Sequence, residues 1–598
     1  MHPRAEDAST NGGLPIAPSL DGALAAADLT AKPGLVDDRV AWLCALSLGL
    51  GVACAYIARG LVDLINLVTN VAYFHRWSAT FASPSHHALG PVAVLVPIAG
   101  GLIVGVMARY GSKAIRGHGI PEAMEQILTN QSRIPARVLF LKPLSAAVAI
   151  GTGGPFGAEG PIIATGGALG SLVGQLVKTT ALERKTLLAA GAAAGMTAIF
   201  GSPVSAVLLA VELLLFELRP RSLIPVAAAA TAAMGMRAAV FGGEAAFAMP
   251  AIAQPGREAL AAYVLIAALV GFASIAITKL VYAVEDAFEH VPLHWMWWPA
   301  LGAVAVGLVG MAEPRTLGVG YENISGILTG DLEGRALLLL CLLKLVSWSL
   351  SLGSGTSGGT LAPLFTIGGA LGALLGAGGA ALLPSAGIDP RVAGLVGMAA
   401  IFSGASRALL ASIVFAFETT RQPMTLLPLL GGGAASYFVS CYFMRTTIMT
   451  EKIVRRGVKV PDEYSADHLS HVLVREAATK AVVTVRGDAT LSELRAWLRS
   501  GETGTQHQGY PVVDGAGRLL GIVMARELLD TRLADSVKAE DCLGKPPAVV
   551  YDDDSLRQAH EHMLRRGVGR LLVVSRADRH KLSGILSRRD ILAARPDR

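Results

Sequence analysis

Charged residues are scarce in this sequence of 598 residues, and cysteines are few. Asp, Glu, Lys and Arg make up 16% of the chain, aromatic residues 6%, and there are only five cysteines. Soluble domains carry about a quarter charged residues, so the low charge and the mean hydropathy of +0.51 exclude an ordinary soluble protein. The cysteines lack the spacing of a disulfide framework or of a metal site. We therefore expect a membrane protein without a bound metal.

The charge that is present is unevenly distributed. The last 148 residues hold 46 of the 96 charged residues. This contrast predicts a membrane domain followed by a soluble domain. The net charge of +6 comes from basic residues at the edges of apolar runs, as in cytoplasmic flanks of membrane helices, and it does not indicate a nucleic-acid partner.

Apolar runs recur from about residue 40 to residue 444, and many are short or interrupted by Gly and Pro. Interrupted helices are tolerated in a membrane where their exposed backbone is buried in protein or lines a polar cavity. We expect an all-α polytopic membrane protein of broken helices. Residues 1–38 have no periodic apolar pattern and no signal-peptide core, and they are predicted to be a disordered cytoplasmic tail.

The membrane part contains an internal repeat at an offset of 202 residues. GGALGSLVG at 166–174 matches GGALGALLG at 368–376, and GMTAIF at 195–200 matches GMAAIF at 397–402. The two copies span about 40–240 and 258–447. Transporters are often built from two such copies, commonly inverted, with the ion site where broken helices of both meet. At this offset Glu159 is matched by Leu361, so the acid is not part of the shared scaffold.

A second repeat lies in the soluble part, in two modules at about 470–531 and 536–594. AVVTVRGDATLSEL (481–494) corresponds to AVVYDDDSLRQA (548–559), and the segments that follow also correspond. Each copy reads as a small β-α-β-β-α module. We therefore predict a tandem α/β domain over 458–598.

Four stretches could carry the chemistry: GHGIPEA (117–123), GAEGP (157–161), GTSGGTLAP (355–363) and RTTIMTEK (445–452). Glycine lets backbone N–H groups turn toward a ligand, and proline fits the first turn of a helix. Such turns present positive helix N-termini, and several converging would bind an anion without a basic side chain. A single turn of this kind is more simply explained by helix packing; three in a duplicated membrane unit favour an anion site.

These loops resemble the signatures GSGIP, G(K/R)EGP and GxFxP of the CLC chloride channels and chloride/proton antiporters. The resemblance covers residues 39–457, and residues 458–598 resemble the paired CBS domains that many members carry. It implies transport of chloride or similar monovalent anions, a homodimer in the lipid bilayer, and no enzyme activity. The resemblance places the anion pathway along Gly117, His118, Gly119, Ile120, Pro121, Gly157, Gly160, Thr360, Leu361 and Met449.

Glu159 matches the family's gating glutamate, which competes with chloride and takes up a proton. An unpaired carboxylate beside helix N-termini mimics a permeating anion, and protonation would release it. The backbone amides of Thr360 and Leu361 would face the central anion, although Leu361 replaces the usual Phe. Ala158 replaces the usual Lys or Arg and removes a positive charge.

Three further positions depart from the family. His118 replaces a Ser or Pro, and its imidazole can still donate a hydrogen bond. Met449 replaces an anion-coordinating Tyr and cannot donate. Glu212 fits the first of two acids found in proton-coupled members, but the inner proton site is Leu213, which cannot carry a proton. These departures favour passive, channel-like conduction gated by Glu159, with a chloride/proton antiporter as the alternative.

The tail offers a tentative nucleotide site. CBS modules bind adenine nucleotides through a pattern that GILSRRD (584–590) fits, with Ser587 and Asp590 in place. GIVMARE (521–527) has Met524 and Glu527 instead, and packing without a ligand is an equal alternative. Chloride is the ligand expected in the membrane domain, which needs no cofactor. Nucleotide could influence transport only by binding the gating states differently.

A remote alternative is an intramembrane serine protease, because GTSG at 355–358 fits its motif with Ser357 as nucleophile. Such an enzyme needs a membrane histidine as general base. The only candidate in a membrane motif is His118.

The expected location is the bacterial inner membrane, with both tails cytoplasmic.

Overall fold

The structure, a computed structural model, describes residues 5–9, 13–21, 23–24, 36–461, 469, 472–502, 504–544, 546–578 and 580–594. The chain divides into two compact units. One comprises Leu35–Tyr464, and the other comprises Met1–Gly34 together with Ser465–Arg598. Each unit is described separately below.

The first unit is helical throughout its described residues. Its first half contains α1 (Asp38–Phe74), α2 (Leu95–Tyr110), α3 (Ile120–Thr129), α4 (Ala136–Gly151), α5 (Glu159–Leu176), α6 (Ala181–Phe200), α7 (Pro203–Leu209), a π-helical turn (Ala210–Leu215) and α8 (Pro220–Phe241). Its second half contains α9 (Arg257–Glu289), α10 (Trp298–Ala312), α11 (Tyr321–Thr329), α12 (Gly334–Gly353), α13 (Leu361–Leu382), α14 (Pro390–Ser406), α15 (Leu409–Thr420), α16 (Leu426–Phe443) and α17 (Glu451–Arg455).

Eight helices of the described residues are long and apolar enough to cross a membrane, three of them only together with the 3-10 turn that precedes them. They are α1, α2 (with its turn, Gly90–Tyr110), α8, α9, α10 (Trp295–Ala312), α12, α13 and α16 (Pro423–Phe443). Others, such as α3, α7, α11 and α15, are too short to span a bilayer. The interrupted backbone around α5 is buried: residues Gly151–Gly160 are buried throughout. This confirms the predicted membrane protein of broken helices, since such breaks are stable where protein surrounds them.

The repeat predicted from the sequence is visible in where the helices begin. Helix α5 begins at Glu159 and α13 begins at Leu361, the residues matched at the offset of 202. Each packs closely on the next helix, α5 on α6 and α13 on α14. Glycines allow these backbones to touch, since a Cβ on Gly191 would lie 2.0 Å from the carbonyl oxygen of Gly166.

Two reciprocal helix caps join the two copies. The carboxylate of Glu212 accepts from the amides of Leu410 and Ala411, both at 2.9 Å, at the start of α15. The carboxylate of Glu418 accepts from the amides of Val204 and Ser205, at 3.0 and 2.8 Å, at the start of α7. The two carboxylates are 206 residues apart, and each pair of equivalent amides, Val204 with Leu410 and Ser205 with Ala411, has the same offset. Carboxylates at helix N-termini stabilise the helix, and here a carboxylate of each copy caps a helix of the other copy. The inverted orientation of the copies stays a prediction.

The second unit contains two four-stranded sheets, one for each soluble repeat. The first module is β3 (Ala481–Arg486), α19 (Leu491–Ser500), β4 (Gly509–Val513), β5 (Leu519–Met524) and α20 (Ala525–Leu528), preceded by α18 (Val474–Ala477). The second is β6 (Val549–Tyr551), α21 (Leu556–Arg566), β7 (Arg570–Val574), β8 (Lys581–Ser587) and α22 (Arg588–Ala593). In each module a parallel pair is extended by an antiparallel strand, which confirms the predicted β-α-β-β-α order.

The prediction of a disordered tail over 1–38 is wrong for the described part of that segment. Strand β1 (Ala5–Ser9) pairs antiparallel with β3, and β2 (Leu14–Pro15) pairs with β8, so both add to sheet edges through backbone hydrogen bonds. Ile16, Leu20 and Leu24 are buried in a cluster with strand residues of the second sheet. The spacing of four residues between these apolar side chains indicated a buried face, but the prediction of disorder rested on the overall composition of residues 1–38. The other residues of the predicted tail up to 35, and the predicted module start near 470, lie outside the described residues.

The close packing of α5 on α6 predicts opposite effects for two glycine substitutions. Gly191→Ala places a methyl group against the carbonyl of Gly166, and overpacking of this kind costs about 1–3 kcal/mol. Gly235→Ala in α8 is the matched control, because its Cβ would meet no atom within 4 Å, and alanine favours the helix by about 0.5–1 kcal/mol. We expect the midpoint temperature of thermal unfolding, measured on the detergent-solubilised protein, to fall for Gly191→Ala and to rise slightly for Gly235→Ala. Equal shifts would contradict the packing described.

Candidate anion pathway

Backbone hydrogen bonds join three of the glycine-rich loops that the sequence singled out. Gly157 and Gly359 exchange a pair, with N–O distances of 3.3 and 3.0 Å, so the equivalent loops of the two copies meet. The amide of Gly117 donates to the carbonyl of Thr356, and the amide of Gly358 donates to the carbonyl of Gly117, both at 3.4 Å. The predicted convergence of the loops at 117–121, 157–161 and 355–363 is therefore observed.

The glycines at this junction are required by space and by backbone conformation. A Cβ on Gly160 would lie 2.2 Å from the carbonyl oxygen of His118, and one on Gly359 would lie 2.6 Å from that of Gly157. Gly117 and Gly119 have φ angles of +96° and +98°, which disfavour any residue with a side chain. Only glycine lets the beginnings of α3, α5 and α13 lie this close together.

The carboxylate of Glu159 lies at the centre of this junction and is fully buried. Its Oε1 accepts from the amide of Ala362 at 2.8 Å, and its Oε2 accepts from the hydroxyl of Tyr321 at 3.1 Å. The amide of Leu361 also faces it. The N-terminus of α13 thus binds a carboxylate where its unpaired N–H groups would otherwise bind an anion.

Two buried lysines fix the loops that lead into the site. Lys142 donates from Nζ to the carbonyls of Ile115 and Gly117, both at 2.8 Å. Lys344 donates to the carbonyls of Thr316 and Gly318, at 2.9 and 3.1 Å. The two lysines are 202 residues apart, and each neutralises partial negative charge on a loop that precedes a short helix.

Sequence reasoning missed Tyr321, Ala362 and both lysines. The lysines and Tyr321 had a signal in the repeat, because Lys142 matches Lys344 and GHGI at 117–120 matches GVGY at 318–321. Ala362 had none, since the contact is made by its backbone amide.

His118 is 5% exposed, and its Nδ1 has no hydrogen-bond partner among the described residues. Glu122 fixes the adjacent turn, because its Oε2 accepts from the amide of Gly119 at 2.6 Å. A cavity of about 540 Å³ opens beside Gly119, with Lys142, Glu122 and Lys452 among its lining residues. Buried polar atoms are nearly always paired, so the free Nδ1 marks a place where a ligand or water can accept or donate.

The remaining residues of the predicted anion pathway are buried, and most of them are apolar. Thr360, Leu361, Met449, Ile120 and Pro121 are all buried, and Oγ1 of Thr360 has no partner among the described residues. The loop before α17 is held by Tyr282, whose hydroxyl donates to the carbonyl of Ile448 at 2.8 Å. That donor is occupied, so Tyr282 does not replace the hydroxyl that Met449 lacks.

Leu213 lies in the π-helical turn and is 4% exposed. It borders a small cavity of about 80 Å³, together with Glu212, Arg407 and Tyr437. The Glu212 carboxylate is engaged with the amides that begin α15, as described above. Ser357, the nucleophile of the protease alternative, is fully buried, and its hydroxyl accepts from Ser145 at 3.1 Å and not from a histidine.

The second unit contains its own candidate site, a cavity of about 770 Å³. It is lined on one side by Ser587 and Asp590 and on another by Arg570. Oδ2 of Asp590 accepts from the amide and the hydroxyl of Ser587, both at 2.7 Å. Burial lowers the pKa of the Arg570 guanidinium, and Asp590 acts in the opposite direction. Among the described residues of this unit, the guanidinium makes only long contacts, to Met524 Sδ at 3.8 Å and to Gln508 at 3.4 Å.

Broken membrane helices begin at glycine-rich loops that meet here, and one helix N-terminus binds a buried carboxylate, an arrangement that is typical of anion sites. Comparison with known proteins agrees. The family model described as voltage gated chloride channel matches residues 100–441, and the CBS domain model matches residues 474–533 and 539–597. The chain therefore belongs to the CLC family of anion transport proteins and carries a pair of CBS domains.

Individual relatives show the extent of the similarity. The H(+)/Cl(-) exchange transporter ClcA of Vibrio parahaemolyticus is 32% identical over 327 residues, which are 52% of this chain and 69% of that protein. Chloride channel protein CLC-f of Arabidopsis thaliana is 29% identical over 373 residues, 58% of this chain and 46% of that one. The crystal structure of a eukaryotic CLC transporter shares the fold, with a TM-score of 0.58 and 23% identity over 92% of this chain and 97% of that one.

The unpartnered Nδ1 of His118 predicts a role in anion binding. His118→Ala removes a neutral donor, which is worth about 1 kcal/mol, so we expect chloride affinity of the full-length protein in detergent to fall about fivefold by calorimetric titration. Ser47→Ala is the control, because Ser47 on α1 is also buried with an unpaired hydroxyl. Unchanged affinity in His118→Ala would place the imidazole outside the pathway.

Proposed function

We propose that this protein conducts chloride or similar monovalent anions passively through the membrane and that Glu159 is the gate. The observation that carries this proposal is the position of the Glu159 carboxylate on the amide of Ala362, at the N-terminus of α13. A carboxylate held there occupies an anion-binding position from within the chain. The bound side chain therefore competes with the anion that would pass.

Protonation supplies the opening step. An ionised carboxylate accepts strong hydrogen bonds from helix N-terminal amides, whereas a neutral carboxyl group interacts with them weakly. When Glu159 takes up a proton, its attraction to the start of α13 falls, and a free anion can replace it. Conduction is then expected to rise as the pH falls.

The choice of passive conduction over exchange rests on the residues around the inner route. Leu213 is buried and apolar, and the neighbouring Glu212 carboxylate caps α15. Met449 has no hydroxyl with which to coordinate an anion. These features support a gate without a proton relay on its inner side. The alternative is a chloride/proton antiporter, which the name of the Vibrio relative favours, while the Arabidopsis relative is named a channel.

We further infer a homodimer in the bacterial inner membrane with both tails cytoplasmic. Exposed apolar residues on α15 and α16, among them Leu410, Leu427 and Phe438, need an apolar partner, either lipid or a second copy. The family resemblance supports the dimer, and the basic flanks of the apolar runs support the cytoplasmic tails.

Vesicle flux with Glu159→Gln tests the gate. In this variant the side chain cannot ionise, so we expect chloride efflux that no longer depends on pH between 4.5 and 8, at a rate at least equal to that of the wild type at low pH. Glu244→Gln, at an exposed carboxylate, is the control. Complete loss of flux in a folded Glu159→Gln protein would show that the assignment is wrong.

The same vesicles decide between the two modes. A proton-sensitive dye is included while a chloride gradient is applied to the wild-type protein. If conduction is passive, protons move only in response to the membrane potential. Clamping that potential with a potassium ionophore should therefore abolish the proton movement. Proton uptake driven by chloride under that clamp would establish the antiporter.

A second proposal concerns the cavity of the CBS pair, which we infer to bind an adenine nucleotide through Ser587 and Asp590. The cavity volume, the Asp590 carboxylate as acceptor for ribose hydroxyls, and the weakly paired Arg570 guanidinium as a phosphate partner support it. Asp590→Asn removes a charged acceptor, and hydrogen bonds to charged groups are worth about 1.5–3 kcal/mol. We expect the affinity of the full-length protein for ATP, ADP or AMP to fall at least tenfold in titration calorimetry.

Glu527→Gln is the matched control for this site, since Glu527 occupies the equivalent position of the first module and makes the same contact, accepting from the amide of Met524 at 2.8 Å. It should leave the affinity unchanged. Absence of binding by the wild type to all three nucleotides would leave the CBS pair as a packing module.

A further inference from the structure

Tyr321 is the one side chain that donates a hydrogen bond to the gate carboxylate among residues 36–461. Its hydroxyl lies 3.1 Å from Oε2 of Glu159. Tyr321 is the first residue of α11, in the second copy of the repeat, and it belongs to none of the glycine-rich loops that the sequence identified. The gate of one copy is therefore contacted by a side chain of the other.

The ring of Tyr321 is held in place by two aromatic neighbours. Phe200, the last residue of α6, packs edge-on at 5.6 Å between ring centroids, and Phe247 packs edge-on at 5.9 Å. Edge-to-face pairs of this kind are favourable. A ring fixed on two sides loses little further freedom when its hydroxyl binds Glu159, so the hydrogen bond is made by a prearranged donor.

The backbone before Tyr321 is fixed as well. Lys344 on α12 binds the carbonyls of Thr316 and Gly318 in the loop that leads to α11. Gly320, which precedes Tyr321, has a φ of +74°. Lys344 also interacts electrostatically with Glu159. The loop that carries the donor is thus anchored by a lysine that also interacts with Glu159.

Several ionisable side chains on the helices packed against α5 make their contacts away from Glu159. Lys142 on α4 binds the loop before α3, and Arg184 on α6 donates to the carbonyl of Gln131 at 3.0 Å. On α3, Glu122 binds the amide of Gly119 and lies beside His118. Helix α13 has no ionisable side chain. Tyr321, through its hydrogen bond, and Lys344, through its charge, are titratable groups that interact with Glu159.

The repeat shows that this pair is an addition to the scaffold. Glu159 matches Leu361 at an offset of 202, and Tyr321 matches Ile120 at an offset of 201. The pair equivalent to Glu159 and Tyr321 is therefore Leu361 and Ile120, both apolar and buried. The carboxylate and the hydroxyl occur together in one pairing of the copies, and both are absent from the equivalent pairing.

We propose that Tyr321 is a positioning residue that holds ionised Glu159 on the start of α13 and so sets the pH at which the anion pathway opens. The proposal rests on the gating role of Glu159 given above. A hydroxyl donor stabilises the ionised carboxylate more than the protonated one. Removing it makes protonation and release easier, so opening moves to higher pH.

The test is chloride efflux from vesicles containing full-length Tyr321→Phe, measured from pH 4.5 to 8. We expect the pH of half-maximal flux to rise by about one unit and the flux at pH 7 to increase about tenfold, the effect of losing one hydrogen bond to a charged group. Tyr263→Phe is the control, because Tyr263 is a buried tyrosine of the same copy and its hydroxyl makes one hydrogen bond away from Glu159, accepting from the amide of Asp389 at 2.9 Å. Its pH profile should equal that of the wild type.

The double variant Glu159→Gln/Tyr321→Phe separates this role from a general effect on the fold. If Tyr321 acts through Glu159, the double variant has the same flux and the same flat pH profile as Glu159→Gln. A further change in the double variant would overturn the proposal, because Tyr321 would then act on the pathway independently.

The two hypotheses fail in different ways. An unchanged profile in Tyr321→Phe, with a flat profile in Glu159→Gln, would overturn the positioning role and leave the gate intact. A profile that still depends on pH in Glu159→Gln would overturn the gate and the positioning role with it.

Discussion

The contact between the Glu159 carboxylate and the first amides of α13 is the interaction on which the rest of the structure depends. A buried charge is costly unless several donors compensate it. Here the donors are the Ala362 amide and the Tyr321 hydroxyl, and both come from the second copy of the repeat. Glycines at 157, 160 and 359 are needed because only they let the two helix beginnings come within reach. In the proposed function, the carboxylate occupies the position that a passing anion would take.

The two copies share the residues that stabilise their junction, and they differ at the residues proposed to act in gating. Lys142 and Lys344 anchor equivalent loops, and Glu212 and Glu418 cap helices of the opposite copy through equivalent amides. These pairs stabilise the junction whichever copy supplies them. Glu159 and Tyr321 have the apolar counterparts Leu361 and Ile120, so a carboxylate and its hydroxyl donor occur in one pairing of the copies and not in the other.

The fold class was predictable because it follows from local composition and from repetition. Low charge, interrupted apolar runs and the 202-residue offset indicated duplicated broken helices, and the β-α-β-β-α modules followed from alternating short strands and amphipathic helices. The N-terminal segment was mispredicted, since Ile16, Leu20 and Leu24 are three apolar residues in a polar stretch and become significant only when a sheet is present to cover them. The backbone pairing of Ala5–Ser9 with β3 has no side-chain signature at all.

The sequence determined that a lone carboxylate lies in a glycine-rich turn of a duplicated membrane unit, because residue types and their order are sufficient for that; its role as an anion mimic stays a prediction. It also identified Leu213 and Met449 as positions without proton-carrying or donating groups. Only the tertiary structure decided which groups bind Glu159, since Ala362 acts through its backbone and Tyr321 is 162 residues away. Contacts between the copies depend on how helices pack in space, and no spacing along one chain specifies that geometry.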